Sequence, residues 1–140
     1  MIKDVEESDL LGISSLLKGL GYSTSLSMLE SRLDAYKTGN EYKVMIDMED
    51  VSIKGIIGLH VYCPFHTKGT IGRITTFIVE ESYRGNRAGT MLVEAADAFF
   101  KESGCLTTEV TSSIMRSVAR KILLNAGYKA GEAHYVKKIS

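Results

Sequence analysis

The sequence predicts a mixed α/β fold, and three observations predict it. Runs of apolar and β-branched residues recur along the chain, at residues 42–47, 53–62 and 70–79, the first of them alternating with period two. Between and after them lie stretches whose apolar residues repeat at helical spacing. Glycines then fall where those helices would stop, at Gly21, Gly39, Gly104 and Gly127.

Ile2 to Val5 is a short strand, and Ser8 or Asp9 caps a helix carrying Leu10, Ile13, Leu16, Leu17 and Leu20. A second helix, from about Ser25 to Lys37, places Leu26, Leu29, Leu33 and Tyr36 on one face. Tyr42 to Asp47 and Ile53 to Tyr62 form a hairpin around a turn at Met48-Glu49-Asp50. Pro64, the only proline, breaks the second strand inside the loop from Cys63 to Gly69, expected near the ligand end, before a long strand from about Thr70 to Val79. A helix with Met91, Leu92, Ala95, Ala96, Phe99 and Phe100 follows and ends at Ser103-Gly104. Leu106 to Val110 is another strand, Met115 to Asn125 a last helix, and Tyr135 to Ile139 a last strand. No repeat or linker interrupts this order, so residues 1–140 are expected to form one domain.

Composition excludes several classes of function. Lys and Arg total 17 against 17 Asp and Glu, so no net field favours nucleic acid. No apolar run approaches the roughly 20 residues needed to span a bilayer, and the first residues are acidic where a signal peptide would be basic. Cys63 and Cys105 have no metal-site spacing and read as free thiols, so a cytoplasmic protein with no membrane partner and no metal is expected.

The segment from Ile74 to Phe100 carries the chemistry. An apolar strand ends at Val79, a basic glycine turn runs from Tyr83 through Arg84, Gly85, Asn86 and Arg87 to Gly89, and a helix opens at once. A helix start offers unpaired N–H groups and roughly half a positive charge, which suits a phosphate. No Gly-Lys-Ser/Thr follows, and the glycines lack the spacing of a dinucleotide fingerprint, so neither nucleotide motif applies.

In the order of its parts the chain resembles the GNAT superfamily of acyl-CoA-dependent N-acetyltransferases, nearest to aminoalkylphosphonate N-acetyltransferase-like members. The resemblance rests on Val79, Arg84, Arg87, Ala88, Gly89 and Leu92. It extends to Ile57-Gly58-Leu59-His60, Ile71-Gly72, Thr108-Glu109-Val110 and Ala126-Gly127-Tyr128. The first glycine of the family's motif is Arg87 here.

This resemblance implies a central, mainly antiparallel sheet of six to seven strands with helices on both faces, parted where the acyl-CoA arm inserts. It implies transfer of an acetyl group from acetyl-CoA, as cosubstrate, to a primary amine of a small molecule, and it leaves room for a homodimer. The cofactor-binding residues it implies are Phe77, Ile78 and Val79 along the strand, Arg84, Gly85, Asn86, Arg87, Ala88, Gly89 and Thr90 at the turn, and Arg116 on the last helix.

Two catalytic positions depart from the family's pattern. Arg73 stands where a glutamate serves as base, and Leu123 where a tyrosine serves as acid. An arginine is no base under ordinary conditions. Glu109, His60 and Tyr128 are the substitute catalytic candidates, each with a bland alternative in surface solvation or packing. Arg73 and His66 are candidate substrate contacts; Arg73 either grips an anion or points to solvent. Loss of base and acid also admits a non-catalytic acyl-CoA-binding regulatory module, and an amine on a protein or peptide is a further alternative acceptor.

Overall fold

A computed structural model describes residues 1–80, 87–110, 117–131 and 135–139. Five strands form one sheet in chain order: β1 (Ile2–Asp4), β2 (Tyr42–Glu49), β3 (Ser52–Tyr62), β4 (Thr70–Val79) and β5 (Cys105–Val110). The first four pair antiparallel, and β4 pairs with β5 in parallel across a helical connection. The helices are α1 (Leu10–Gly19), α2 (Leu26–Tyr36), α3 (Ala88–Glu102) and α4 (Ser117–Asn125).

Local chemistry explains the boundaries. Ser25 caps α2 by accepting a hydrogen bond from the Met28 N–H at 3.2 Å. Before α1, a 3-10 turn spans Glu7–Asp9, and Asp9 takes the Glu6 N–H at 2.9 Å. Gly21, Gly104 and Gly127 have φ of 90°, 76° and 99°, the left-handed region that closes α1, α3 and α4.

Alternation along the strands divides the core into two layers. Val5, Leu10, Ile13, Leu17, Leu33, Ile46 and Ile56 bury the side on which α1 and α2 lie. Met45, Ile57, Leu59, Ile74, Leu92, Val93, Ala96, Phe100 and Leu123 bury the side on which α3 and α4 lie. Each fully buried Leu, Ile or Phe contributes about 1.5–3 kcal/mol, so both layers hold the sheet.

Two expectations are corrected. Tyr135 to Ile139 is not a strand: it is irregular, with Tyr135 and Ile139 about nine-tenths exposed, and among the described residues the sheet has five strands rather than six or seven. A strand needs a partner edge, and this segment has none among the described residues. The loop from Cys63 to Gly69 lies at the end of β4 opposite to α3, because β3 and β4 form one long hairpin.

Candidate active site

The centre of interest is a break in β4. Gly58 pairs with Thr76 and Leu59 with Ile74, so Thr75 is an extra residue and β4 bulges there. Its pairing with β5 ends just before, at Ile74 opposite Val110. From Thr75 to Val79 the outer edge of β4 therefore carries backbone groups with no strand partner among the described residues. Gly58 keeps this spot open: a Cβ there would meet Thr76 Cβ at 3.1 Å and both threonine hydroxyls at 3.2 Å.

The free edge leads to the start of α3. Among the described residues that helix has no side-chain cap and no acidic residue in its first turn, so its leading N–H groups meet no side chain of opposite charge there. Gly89 is buried against β4, where a Cβ would stand 2.6 Å from Ile122 Cδ1 and 3.1 Å from Val79 Cγ2. Arg87, in the cap position, has φ of −76°, a conformation open to any residue. Arginine thus replaces glycine there without strain. Its side chain is largely exposed and lies 3.6 Å from Glu94.

On the α1/α2 side of the sheet, a row of side chains crosses four strands through the pairs Tyr42 with His60, His60 with Arg73, and Arg73 with Glu109. Tyr36 of α2 stacks on Tyr42 with ring centres 4.5 Å apart, Tyr42 on His60 at 4.2 Å and His60 on Tyr62 at 5.4 Å. The Arg73 guanidinium lies 4.9 Å above the Tyr62 ring. Tyr62 donates a hydrogen bond to Glu109, Arg73 Nε donates to Glu109 at 2.8 Å, and Arg73 Nη2 donates to the Tyr62 hydroxyl at 2.8 Å.

Burial alone would raise the Glu109 pKa, but hydrogen bonds from Tyr62 and Arg73 and the arginine charge outweigh it and hold the carboxyl below its ordinary range. Burial and the hydrogen bond to Glu109 push the Tyr62 phenol up. Beside this row, α1, α2 and the sheet enclose a cavity of about 220 Å³ with Val44, Gly58 and Thr76 in its floor and Thr24, Arg32 and Tyr36 on its walls. A larger, open depression of about 790 Å³ wraps the β2 edge but takes in only Thr70 of β4, away from the bulge.

The acetyltransferase (GNAT) family matches residues 18–120, well over half of the chain. The chain belongs to the GNAT acetyltransferase family. As a member it is an acyltransferase enzyme. It is 24% identical to aminoalkylphosphonate N-acetyltransferase of Salmonella typhimurium, over 84% of this chain and 82% of that one. In fold it is similar to glucosamine-6-phosphate N-acetyltransferase of Arabidopsis thaliana, at 20% identity and a TM-score of 0.84, covering 100% of this chain and 98% of that one. A transcriptional regulator of Bacillus halodurans, at 18% identity, superposes with a TM-score of 0.85 over 99% of each chain.

Within this GNAT fold the predicted residues separate into groups. Glu109, His60 and Arg73 come together in the row. Phe77, Ile78 and Val79 lie on the free edge, and Arg87, Ala88, Gly89 and Thr90 open α3. Tyr128 packs on the opposite layer beside Leu123; its hydroxyl is buried with no hydrogen-bond partner among the described residues, and burial raises its pKa while nearby Thr108 tempers the rise. Leu123 is 4% exposed and belongs to the core. His66 is exposed in the loop beyond the far end of β4. Arg84, Gly85, Asn86 and Arg116 lie outside the described residues. Tyr62 is the participant that sequence reasoning missed; its position two residues after His60, on the same side of the strand, was the available signal.

Proposed function

We propose that this chain transfers the acetyl group of acetyl-CoA to a primary amine of a small molecule, by direct attack with both bound at once. The carrying observation is the free edge of β4, which runs from the bulge at Thr75 to the uncapped first turn of α3. A thioester-bearing arm laid along Phe77, Ile78 and Val79 gains backbone hydrogen bonds as an added strand does, and a pyrophosphate at Arg87 to Thr90 meets the free N–H groups of α3. Gly89 suits this role because it lets the helix start lie close to the strand. Acetyl-CoA supplies the activated acetyl group.

The chain's own residues contribute alignment and hydrogen bonding more than acid–base chemistry. Well-aligned reactants gain up to about 7–11 kcal/mol from proximity, whereas a general base adds roughly 10²–10⁴-fold. Glu109 sits below its ordinary pKa and Arg73 cannot accept a proton, so the amine's proton leaves to water. The 220 Å³ cavity against Gly58 and Thr76 suits a small acceptor. The relatives named for aminoalkylphosphonate and glucosamine-6-phosphate point to the same class. Cys63 and Cys105 are free thiols, in keeping with a reducing cytoplasm.

Thiol release from acetyl-CoA with a panel of small amines tests this reading. Turnover with at least one amine is expected. The second reading, a non-catalytic acyl-CoA-binding module, draws on Leu123 in the acid position and on the ionised, clamped Glu109. Calorimetric binding of acetyl-CoA with no turnover on any amine, a protein-borne one included, selects that module instead.

A further inference from the structure

On the reading of the chain as an amine acetyltransferase, the clamp around Glu109 identifies what else the acceptor carries. All three contacts to this carboxylate end on one oxygen: Tyr62 donates to Oε1, Arg73 Nε donates to it at 2.8 Å, and Arg73 Nη2 stands 2.6 Å from it. Oε2 has no hydrogen-bond or ion-pair partner among the described residues, although the side chain is 37% exposed. An ionised carboxylate oxygen only accepts, so its ligand is a donor, best a cation. Arg73, by contrast, has already used its Nε/Nη2 fork on a carboxylate, which leaves only Nη1 for a further anion. Its Nε and Nη2 already hold Glu109, and Nη2 also serves Tyr62.

We propose that Glu109 Oε2 binds a second, non-reacting ammonium of the acceptor, with Tyr62 and Arg73 as positioning residues, so that the acceptor is a diamine or polyamine. An ammonium against a charged carboxylate keeps its proton, and a protonated nitrogen cannot attack a thioester, so the group held here is not the nucleophile. Its place agrees. Arg73, opposite Glu109, precedes the bulge residue Thr75 by two positions, about 7 Å along a strand. Tyr62, opposite Ile71, draws the carboxyl from the side further from the bulge. An acceptor with one nitrogen at Glu109 and another at Thr75 spans that gap with a short methylene chain. In the transfer the nitrogen at Thr75, as the neutral amine, bonds to the acetyl carbon, the carbon–sulfur bond breaks, that nitrogen's proton leaves to water and the sulfur takes a proton from solvent. The nitrogen at Glu109 is unchanged.

The test compares putrescine, butylamine and γ-aminobutyrate in thiol release from acetyl-CoA, using the wild type, Glu109→Gln and Tyr62→Phe. The wild type should favour putrescine over butylamine by about tenfold or more in kcat/KM, through KM, as a hydrogen bond to a charged group implies. Glu109→Gln should bring the two amines to near parity, and Tyr62→Phe should fall between. A preference for γ-aminobutyrate, equal use of putrescine and butylamine by the wild type, or an unchanged ratio in Glu109→Gln overturns the proposal. A rise in melting temperature with acetyl-CoA reports that each variant is folded; if Glu109→Gln is not, Tyr62→Phe carries the comparison. Turnover with no amine at all would count against the acetyltransferase reading itself. Calorimetry of putrescine and butylamine with the wild type would then still decide the Glu109 site, tighter binding of putrescine supporting it and equal binding refuting it.

Discussion

The two ends of β4 are built from different materials. At the α3 end the surface is backbone and small residues, with Gly89 close against Val79, Ala88 buried and the strand edge without a partner among the described residues. At the hairpin end it is side chains, with Arg73, Glu109, Tyr62 and His60 packed into a stacked and hydrogen-bonded row. Backbone N–H groups are the same for every sequence, so the first end depends on steric access. The second depends on charge and on which side chains stand in the row. One strand thus offers a surface fixed by shape beside one that a few substitutions would rewrite.

The largest effect should come from closing the first end. Acetyl-CoA at about 100 times its Kd should stabilise the wild type by about 2.7 kcal/mol. Gly89→Val should lose that gain in full, because its side chain would clash with Ile122 and Val79 and push the start of α3 off β4, and overpacking should cost the unliganded protein about 1–3 kcal/mol. Melting temperatures with and without acetyl-CoA measure both. A retained shift would break the comparison, since steric access would not govern that end.

Next in size is Gly72→Ala, on the α3/α4 side of the hairpin end. A Cβ there would lie 2.4–2.7 Å from three ring carbons of Phe100, which is 2% exposed and has no free space to move into. A loss of about 1–3 kcal/mol in urea unfolding is expected, with the acetyl-CoA shift intact. Loss of the shift would mean that the two ends are coupled through the core rather than independent.

The smallest effect probes the charged row through pH. Glu109 has a folded pKa below its ordinary 4.5, so its clamp contributes stability that is present above 4.5 and lost as pH falls through the folded value. Between about pH 7 and about pH 3 the wild type should therefore lose more stability than Glu109→Gln. Solvent screening of this part-exposed pair keeps the difference below about 1 kcal/mol. Equal losses in urea titrations at the two pH values would show that the row is held by stacking alone.

Much of this was legible in residues. The strand from Thr70 to Val79 could be read end to end because its apolar and β-branched run is bounded by Gly69 and Glu80, and the start of α2 was legible at about Ser25, which the structure makes its cap. The same kind of reading failed at Tyr135 to Ile139, whose Tyr, Val and Ile favour a strand. A strand also needs a partner edge, and pattern carries no information on whether one is present. The clamp was half legible: Arg73 and Glu109 were named separately, yet only the parallel pairing of β4 with β5 makes them neighbours across 36 residues of chain.

The sequence by itself determined the order of elements, the strand–turn–helix that opens at Ala88, and the absence of a base and an acid at Arg73 and Leu123. These follow from local propensity and from side-chain identity, which the chain carries wherever it goes. Only the tertiary structure decided that β4 bulges at Thr75 and outruns β5, that Tyr128 lies on the opposite layer from Glu109, and that Tyr62 closes the clamp. Register and facing are relations between distant segments, set when both layers of the core pack at once, and no segment specifies them alone.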